Sequence, residues 1–327
     1  MKLSRRHILG SMAGAALAAP GVLRAQERFP ARPVRLVVPF PPAGPTDLVG
    51  RLVAQRLRDA WQQPVVVENR PGASGTTGSQ VVAQSAPDGY TLVLGNNASH
   101  GAYELLNPRQ APYQTLRDFA PVALVGLAQL IMIVNANVPA RNMQEFVAYA
   151  RANPGRLNYA SAAFGSATHF ACELLKLSTG ITMEHVPFNG AAPALLALAN
   201  GDVHVYMGGV SSIQALVADG RARAIAAVSD QRVPQMPDLP TTAEQGLPGL
   251  SWDSWYGLLA PARVPTAILD KINADARQVL DGQEVYAQLQ RYGMERKLGT
   301  RAEFETAVRN EIERTARVVR DANIRVE

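Results

Sequence analysis

The stretch Val34–Asp47, with the sequence VRLVVPFPPAGPTD, decides the fold of this chain. Its first five residues are apolar apart from one arginine and predict a buried β-strand. The prolines that follow fix φ and remove backbone N–H donors, so they predict a loop of one shape. Thr46 or Asp47 is placed to cap a helix that we expect to run to about Asp59. The predicted inner face of this helix consists of Leu48, Leu52, Val53 and Leu57.

A rigid loop between a strand end and a helix N-terminus is suited to a small anion. Free N–H groups and the positive end of the helix dipole point at such a site. Taken alone, the stretch is explained more simply as a plain strand-to-helix connection. A second unit of the same kind later in the chain favours the anion site.

That second unit spans residues 157–178. Leu157–Ser161 predicts a strand, residues 162–169 form a loop of small and hydroxyl-bearing residues, and a helix is expected from about Thr168 to Ser178. Its predicted apolar face carries Phe170, Leu174 and Leu177. Two such units, in two domains, would face each other across a cleft.

Strands alternate with helices from Glu27 onward, which indicates an α/β architecture with mostly parallel sheets. The apolar run Val122–Val134 is expected to carry the chain out of a first domain, and Trp252–Leu259 to return it. Helices are predicted at about Pro265–Asp281 and Arg301–Ala322. A chain of 327 residues is long enough for two domains.

Residues 1–25 are predicted to be a signal peptide. Lys2, Arg5 and Arg6 precede the apolar run Ile8–Val22, which is too short to span a membrane. Residues 4–9 also approximate a twin-arginine export signal; cleavage is expected after Ala25, with Ala16–Ala18 as the alternative site. We therefore expect an exported, periplasmic protein.

Charge gives little information about partners. The leader holds four of the 32 basic residues and no acid, so its removal leaves 28 against 27 acidic residues and a net charge of +1. Basic clusters with interleaved aromatic residues are lacking, which argues against nucleic-acid binding. Cys172 is the only cysteine, so an intrachain disulfide is excluded.

The sequence contains no motif that is typical of a catalytic centre, such as G-x-S-x-G, H-E-x-x-H or G-x-x-x-x-G-K. His169, His185 and His204 fall in separate elements without metal-ligand spacing, which favours structural histidines and no metal. Ser161 or Ser166 would need a base within about 3 Å to act as a nucleophile, and the nearest candidate, His169, is expected in the first turn of the helix instead. A periplasmic hydrolase is therefore the weakest of the functions considered.

The candidate loops share neutral donors: hydroxyls, amides and exposed backbone N–H groups, with Arg70 as the single cation. This pattern suits a small carboxylate held without an ion pair. Asp47 has two open interpretations, a helix-start carboxylate stabilised by the dipole or a contact to a ligand ammonium group. Gly72–Gly75 reads as a tight surface or cleft loop.

Seven motifs together resemble the Bug-type solute-binding proteins of tripartite tricarboxylate transporters. Any one of them is weak, but they occur in collinear order over essentially the whole mature chain. They are Val38–Asp47, Glu68–Ala73, Ala86–Leu92, Asp118–Val122, Leu157–Ser161, His185–Gly190 and Glu244–Gly249.

The resemblance implies a two-lobed α/β periplasmic binding protein of type II, a "Venus flytrap" that closes a central cleft on a small carboxylate. It implies no catalytic residue, metal or cofactor, a monomer, and membrane transporter subunits as partners. Expected ligands are di- or tricarboxylates, acidic amino acids or aromatic acids. The implied first domain consists of residues 26–125 and 251–327, and the second of residues 126–250, with hinges near Val125–Val134 and Leu250–Tyr256.

The family grips a ligand carboxylate with two loops, here Phe40–Asp47 and Ser161–His169. The predicted ligand contacts are Phe40, Pro42, Ala43, Gly44, Thr46, Asp47, Asn96, Ser161, Ala163, Gly165, Ser166, Thr168, His169, Phe188, Asn189 and Gly208.

Three positions depart from the family pattern. Phe188–Gly190 replaces Tyr-Lys-Gly, Met207–Gly209 replaces Phe-Asp-Asn, and Ala43 precedes Gly44 where the family has two glycines. The second departure removes a carboxylate near the cleft, which favours a ligand other than an amino acid. A sensory co-receptor that passes its closed state to a signalling partner is the alternative to a transport receptor.

Overall fold

The computed structural model describes residues 29–324, so the predicted signal peptide lies outside the described residues. Strands and helices alternate through the first part, which confirms the α/β prediction. The elements of this part are β1 (Val34–Val38), α1 (Pro45–Trp61), β2 (Val65–Asn69), α2 (Thr76–Ala83), β3 (Thr91–Asn96), α3 (Tyr103–Leu106) and α4 (Thr115–Asp118). A 3-10 turn at Ala73–Gly75 precedes α2, and a π turn at Ala98–Ala102 follows β3.

The second part repeats the alternation around a shorter set of strands. Its elements are β4 (Phe119–Asn135), α5 (Met143–Ala152), β5 (Asn158–Ser161), α6 (Ala167–Thr179), β6 (Glu184–Pro187), α7 (Ala191–Asn200), β7 (Val205–Gly209), α8 (Val210–Ala218) and β8 (Ala222–Ala227). The chain then returns through β9 (Asp253–Pro261), α9 (Thr266–Leu280), α10 (Gln283–Arg291), β10 (Glu295–Arg296) and α11 (Arg301–Asp321).

The strands run in the order β2-β1-β3-β9-β4-β7-β5-β6, and β8 and β10 also pair with β4. Strands β1, β2 and β3 are parallel to one another and form the first lobe with their helices. Strands β5, β6 and β7 are likewise parallel and form the second lobe. Carboxyl ends of parallel strands meet at one edge of a sheet, so each lobe gathers its loops at one edge.

Strand β4 joins the two lobes. Residues 119–129 pair with β9, and residues 130–135 pair with β7 and β8. The apolar run that predicted a crossing from one domain to the other is therefore one strand of 17 residues. The expected domain boundaries at residues 125 and 250 stay a prediction; they fall within β4 and just before β9.

Apolar side chains form a core in each lobe. In the first, Val49, Leu52, Val53 and Leu57 of α1 pack on the sheet, at spacings that place them on one helix face. In the second, Phe146 and Phe170 pack with the buried ring of Trp252. The long helix α11 contacts both lobes, because Phe304 belongs to a cluster of the first lobe and Val318 to the core of the second.

Several predictions of local structure were wrong. Leu48 is only partly buried and Val49 takes its inner position, while Leu177 is 41% exposed because α6 turns Ala171 and Leu175 inward. Gly208 and Gly209 are the last two residues of β7 and pair with β4. The sequence reading also missed α8, α10, β10 and the π turn. None of the helices that the structure describes is long and apolar enough to cross a membrane.

Candidate ligand-binding cleft

The first predicted loop follows β1 and leads directly into α1. Ala43 has a left-handed backbone with φ +65°, and Gly44 is the N-cap residue of α1 in an extended conformation. No side chain caps the helix from the Gly44 position. The free N–H groups of its first turn therefore stay available to an anion.

Asp47 does not cap the helix in the expected way but stabilises the loop before it. Its Oδ2 accepts hydrogen bonds from Ala43 N at 2.9 Å and Arg51 Nε at 2.9 Å, and its Oδ1 accepts one from Asn69 Nδ2 at 2.8 Å. Burial alone would raise the pKa of the carboxyl, but these bonds outweigh it and lower the pKa. This geometry favours the structural interpretation of Asp47 over contact with a ligand ammonium group.

The end of β3 lies beside this loop. Asn96 Nδ2 donates to Thr46 Oγ1 at 3.4 Å, and Asn96 Oδ1 accepts from the N–H groups of Ala98 and Ser99. Asn96 thereby fixes the π turn and joins it to the start of α1. The predicted contacts Thr46 and Asn96 are thus close together, and both are buried.

Phe40 lies at the floor of the first lobe's loops. Its ring packs so closely against Gly75 that a Cβ there would lie 2.9 Å from Phe40 Cζ and 3.0 Å from Ser99 Cβ. The 3-10 turn Ala73–Gly75 is therefore part of this edge, which the sequence had left open as a surface or cleft loop. Pro42 and Ala43 are exposed at the rim.

The second predicted loop follows β5 and leads into α6. Ser166 is the N-cap residue of α6 in an extended conformation, and its side chain makes no capping bond. Gly165 has φ +76° and donates its N–H to His169 Nδ1 at 3.2 Å. The arrangement matches that of the first loop: a left-handed residue, an extended N-cap and a helix N-terminus without a side-chain cap.

The hydroxyl groups of the second loop bond within the loop. Ser166 Oγ donates to Ala163 O at 2.6 Å and lies 2.8 Å from Thr168 Oγ1. Thr168 Oγ1 also accepts from Ala162 N at 2.9 Å, and Ser161 Oγ donates to Ala163 O at 3.0 Å. These hydroxyls shape the loop, and the N–H groups of Gly165 and Ser166 are bonded within it as well.

Two stacked histidine rings lie beside the second loop. The rings of His169 and His185 stack with centroids 4.0 Å apart, and His185 stacks on Tyr159 at 4.9 Å. Burial lowers the pKa of His185 to about 4 and also lowers the pKa of His169, so both rings are neutral near pH 7. Within residues 29–324, no group of three or more His, Cys, Asp or Glu side chains is arranged to hold a metal ion.

His185, and not the expected His169, is the base nearest to Ser161. His185 Nε2 lies 2.7 Å from Ser161 Oγ. Ser161 Oγ also lies 3.0 Å from the Ala163 carbonyl oxygen, and the tautomer of His185 decides which partner donates in the Ser161–His185 contact. Among residues 29–324 no carboxylate is hydrogen-bonded to His185 to orient it as a base, so the pair lacks the third group of an activated nucleophile.

Strand β6 and its loop attach to the second loop through the backbone. Phe188 N donates to Ser161 O at 3.0 Å, and Gly190 N donates to Ala162 O at 2.7 Å. Asn189 between them is exposed. Gly208 is buried within β7, where the Tyr206 ring covers its Cα and leaves no room for a side chain.

The two lobes touch beside the loops. Ser74 Oγ donates to Phe164 O at 3.3 Å, and Gly165 faces α3 so closely that a Cβ there would lie 2.7 Å from Leu106 Cδ1. The structure therefore brings most predicted residues to one interlobe edge, with Asp47 and Gly208 beneath it. Ser74 and Leu106 were not predicted, since neither lies in a loop after the strands that carry the site.

The fold and the two facing loops define a two-lobed receptor of the periplasmic-binding-protein class. The sequence matches the family model described as TctC, Tripartite tricarboxylate transporter family receptor, over residues 49–324. The chain belongs to this family, which confirms the resemblance stated from the motifs.

Relatives and solved structures agree with this assignment. Protein BugT of Bordetella pertussis is 33% identical over 315 residues, covering 96% of this chain and 96% of BugT. Rpa4515 of R. palustris, solved with adipate, has a TM-score of 0.83 at 34% identity, covering 91% of this chain and 99% of that chain. MatC from Rhodopseudomonas palustris, solved with bound malate, has a TM-score of 0.78 at 35% identity, covering 89% of this chain and 100% of that chain.

Proposed function

We propose that this chain is a periplasmic solute receptor. It binds a small carboxylate between its lobes and delivers it to the membrane subunits of a tripartite tricarboxylate-type transporter. It acts as a monomer and carries no catalytic activity. The observation that carries this proposal is the pair of helix N-termini without side-chain caps, one from each lobe, at Gly44 and Ser166.

A carboxylate between these termini is stabilised without an ion pair. Helix α1 has 17 residues and α6 has 13, long enough for each to present a positive dipole end and free N–H groups. The nearest cation of the first loop, Arg51, is already bonded to Asp47 and Asn69. Recognition therefore rests on neutral donors, as the sequence pattern indicates.

The ligand class follows from the site and from the neighbours together. Two solved relatives hold dicarboxylates, adipate and malate. The aromatic side chains Phe40, Phe164 and Phe188 lie on or beside the loops of this chain and offer apolar surface to the body of a ligand. We propose a dicarboxylate or an aromatic acid in preference to an amino acid, since no free carboxylate of the loops is placed to hold an ammonium group.

The Ser161–His185 pair argues for binding and against hydrolysis. Ser161 Oγ contacts both the Ala163 carbonyl and His185, whose pKa is lowered by burial, and no carboxylate of the described residues orients His185 as a base. Both side chains are committed to the shape of the second loop. A receptor needs that rigidity, because each ligand-facing N–H must already point at the carboxylate before binding.

A thermal-shift screen of the mature chain tests the proposal. The panel contains adipate, malate, citrate, glutamate and nicotinate, with hexane-1,6-diol as a control that has the length of adipate but no carboxylate. A ligand that binds only the folded state stabilises it by about 2.7 kcal/mol at a hundredfold excess over Kd. A shift with one class of acid and none with the diol is expected. Protein refolded from denaturant, and thus freed of any retained ligand, that responds to no acid would contradict the proposal.

A further inference from the structure

A second cavity lies away from the cleft, between the joining strands β4 and β9 and the helix α11. It has a volume of about 160 Å³. Its lining combines apolar side chains with three charged side chains. The apolar group is Leu124, Leu127, Phe304, Ala307 and Val308, and the charged group is Asp253, Glu311 and Arg314.

Two polar atoms of this cavity wall lack a hydrogen-bond partner among residues 29–324. One is Asp253 Oδ1, an acceptor, and the other is the indole Nε1–H of Trp255, a donor. Trp255 is only 7% exposed. Buried polar atoms of this kind cost free energy unless a proton, a water molecule or a rearrangement satisfies them.

Asp253 is the first residue of β9 and is paired with Gln129 of β4. These are the strands through which the two lobes are joined, so any hinge motion between the lobes changes the surroundings of Asp253. Helix α11 forms the opposite wall, and its Val318 packs in the core of the second lobe. The cavity therefore lies where α11, which contacts both lobes, passes the strands that join them.

Asn97 links this cavity to the ligand loops. Its Nδ2 donates to Asp253 O at 3.2 Å and to Glu311 Oε1 at 2.6 Å, and its Oδ1 accepts from Trp255 N at 2.8 Å. The preceding residue, Asn96, bonds to Thr46 at the start of α1. Adjacent residues of one strand end thus hold the binding loop on one side and the hinge strand on the other.

The charged groups around Asp253 come from every neighbouring element. Arg314 and Glu311 face it from α11, Glu295 from β10, Lys297 from the segment after β10, and Asp230 from the loop after β8. Burial raises the pKa of Asp253 to about 6, and Glu295 and Asp230 add to the rise while Arg314 and Lys297 oppose it. Burial also raises the pKa of Glu311.

We propose that Asp253 is a proton-binding switch at the hinge, and that loss of its proton loosens the contact between the lobes. Protonated Asp253 is neutral, so it can stay buried beside the cavity without water or a cationic partner. Ionised Asp253 requires hydration, which it gains when β9 moves away from α11 and the cavity opens to water. The Asn97 bonds then weaken, and the Ser74–Phe164 contact between the lobes is made less often.

The sign follows from the direction of the pKa shift. The packed hinge binds the proton more tightly than a solvated aspartate does, so it is favoured at low pH. The free energy that favours the packed hinge falls as the pH rises above 3.8, the ordinary pKa of an aspartate, and is lost above about 6. Separation of the lobes therefore increases as the pH passes through this range.

Distance measurement between two spin labels tests the switch without any ligand, so its outcome does not depend on the proposed carboxylate. Nitroxides are placed at Gln55→Cys on α1 and Leu196→Cys on α7, both of which are exposed. The native Cys172 is buried and stays unlabelled in the folded protein. We expect a longer mean distance at pH 8 than at pH 5, with a midpoint near 6.

Three variants assign the midpoint to Asp253. Asp253→Asn keeps the short distance at both pH values. Glu295→Gln, which removes a like charge, moves the midpoint to lower pH, and Lys297→Gln moves it to higher pH. Both substituted side chains are exposed, so these two variants should fold. The opposite shifts of their midpoints test the proposal even if Asp253→Asn does not fold. A wild-type distance that is independent of pH, or shifts of the same sign in both variants, would overturn the proposal.

Discussion

Ser74 of the first lobe donates a hydrogen bond to the backbone carbonyl of Phe164 in the second lobe, with 3.3 Å between Oγ and O. The bond joins the 3-10 turn after β2 to the loop before α6. Phe40 packs on the same turn at Gly75, so the contact also connects the two ligand loops. It holds the turn of the first lobe next to the loop that leads into α6.

Ser74→Ala removes this contact and should weaken ligand binding about two- to tenfold, the range of a net hydrogen bond of about 0.5–1.5 kcal/mol. The fold should be affected little, because Ser74 bonds only to the other lobe's backbone. Calorimetric titration measures the affinity and thermal unfolding the stability. Ser178→Ala, which removes an exposed hydroxyl bonded to Leu174 O, is the matched control and should leave affinity unchanged.

Gly44→Val should abolish binding and leave the fold intact. Gly44 has φ −78°, and a Cβ there would lie 3.6 Å from Pro41 O, so valine fits the backbone but covers the start of α1. Ligand titration against circular dichroism separates the two effects. Unchanged affinity in this variant would exclude the first loop as the carboxylate site.

Gly165→Val should also abolish binding, with a loss of stability of about 1–3 kcal/mol from the left-handed backbone. The contact with Leu106 adds to this loss. Gly180→Val is the matched control, since Gly180 has φ +70° at the end of α6 and open space around it. Its stability should fall by a similar backbone cost while ligand affinity stays at the wild-type value; equal loss of affinity in both variants would contradict a specific role of Gly165.

Asp47→Asn should reduce both stability and ligand affinity at pH 7, because the charge-assisted bonds to Arg51 and Ala43 weaken. The loss of stability should be about 1–2 kcal/mol, at the lower end for bonds to a charged group since Arg51 is half exposed. The pKa of Asp47 is lowered in the folded protein. Its contribution to the free energy of unfolding is therefore present above 3.8, the ordinary pKa of an aspartate, and is lost as the pH falls below that value. Unfolding measured from pH 7 to pH 3 should show this loss in the wild type and in Asp59→Asn, an exposed control, but not in Asp47→Asn.

Wild-type protein should hydrolyse p-nitrophenyl acetate no faster than buffer, and Ser161→Ala should behave identically. His185, the base beside Ser161, is hydrogen-bonded to no carboxylate of the described residues that would orient it, so Ser161 is not an activated nucleophile. Turnover by the wild type that disappears in Ser161→Ala would assign a hydrolytic activity to the chain.

Much of the architecture could be predicted from local pattern. The apolar run around β4 indicated a crossing between domains, and the strand ends at Phe40 and Ser161 indicated two loops of similar design. Both signals are local, because a run of apolar residues and a proline- or glycine-rich loop are visible without any partner. The helix α8 was missed because its apolar sequence follows Gly208–Gly209, which read as the end of a strand.

The roles of short polar side chains could not be predicted in the same way. Serine and threonine near a helix start bond either to a ligand or to their own loop, and differences of less than an ångström decide between these. Asn97 bonds to residues 156, 158 and 214 positions away, so its link between loop and hinge depends wholly on the tertiary fold. Asp253 is likewise inconspicuous in sequence and acquires its raised pKa mainly from its burial beside α11, with Glu295 and Asp230 adding to the rise.

Calorimetric titration of refolded mature protein tests the central claim, that a carboxylate binds between the two helix N-termini. The titrants are the acids of the thermal-shift panel, and the proteins are the wild type, Gly44→Val and Gly180→Val. The account predicts saturable one-to-one binding of at least one acid by the wild type and Gly180→Val, and none by Gly44→Val. Absence of binding by every acid, or binding that persists in Gly44→Val, would contradict it.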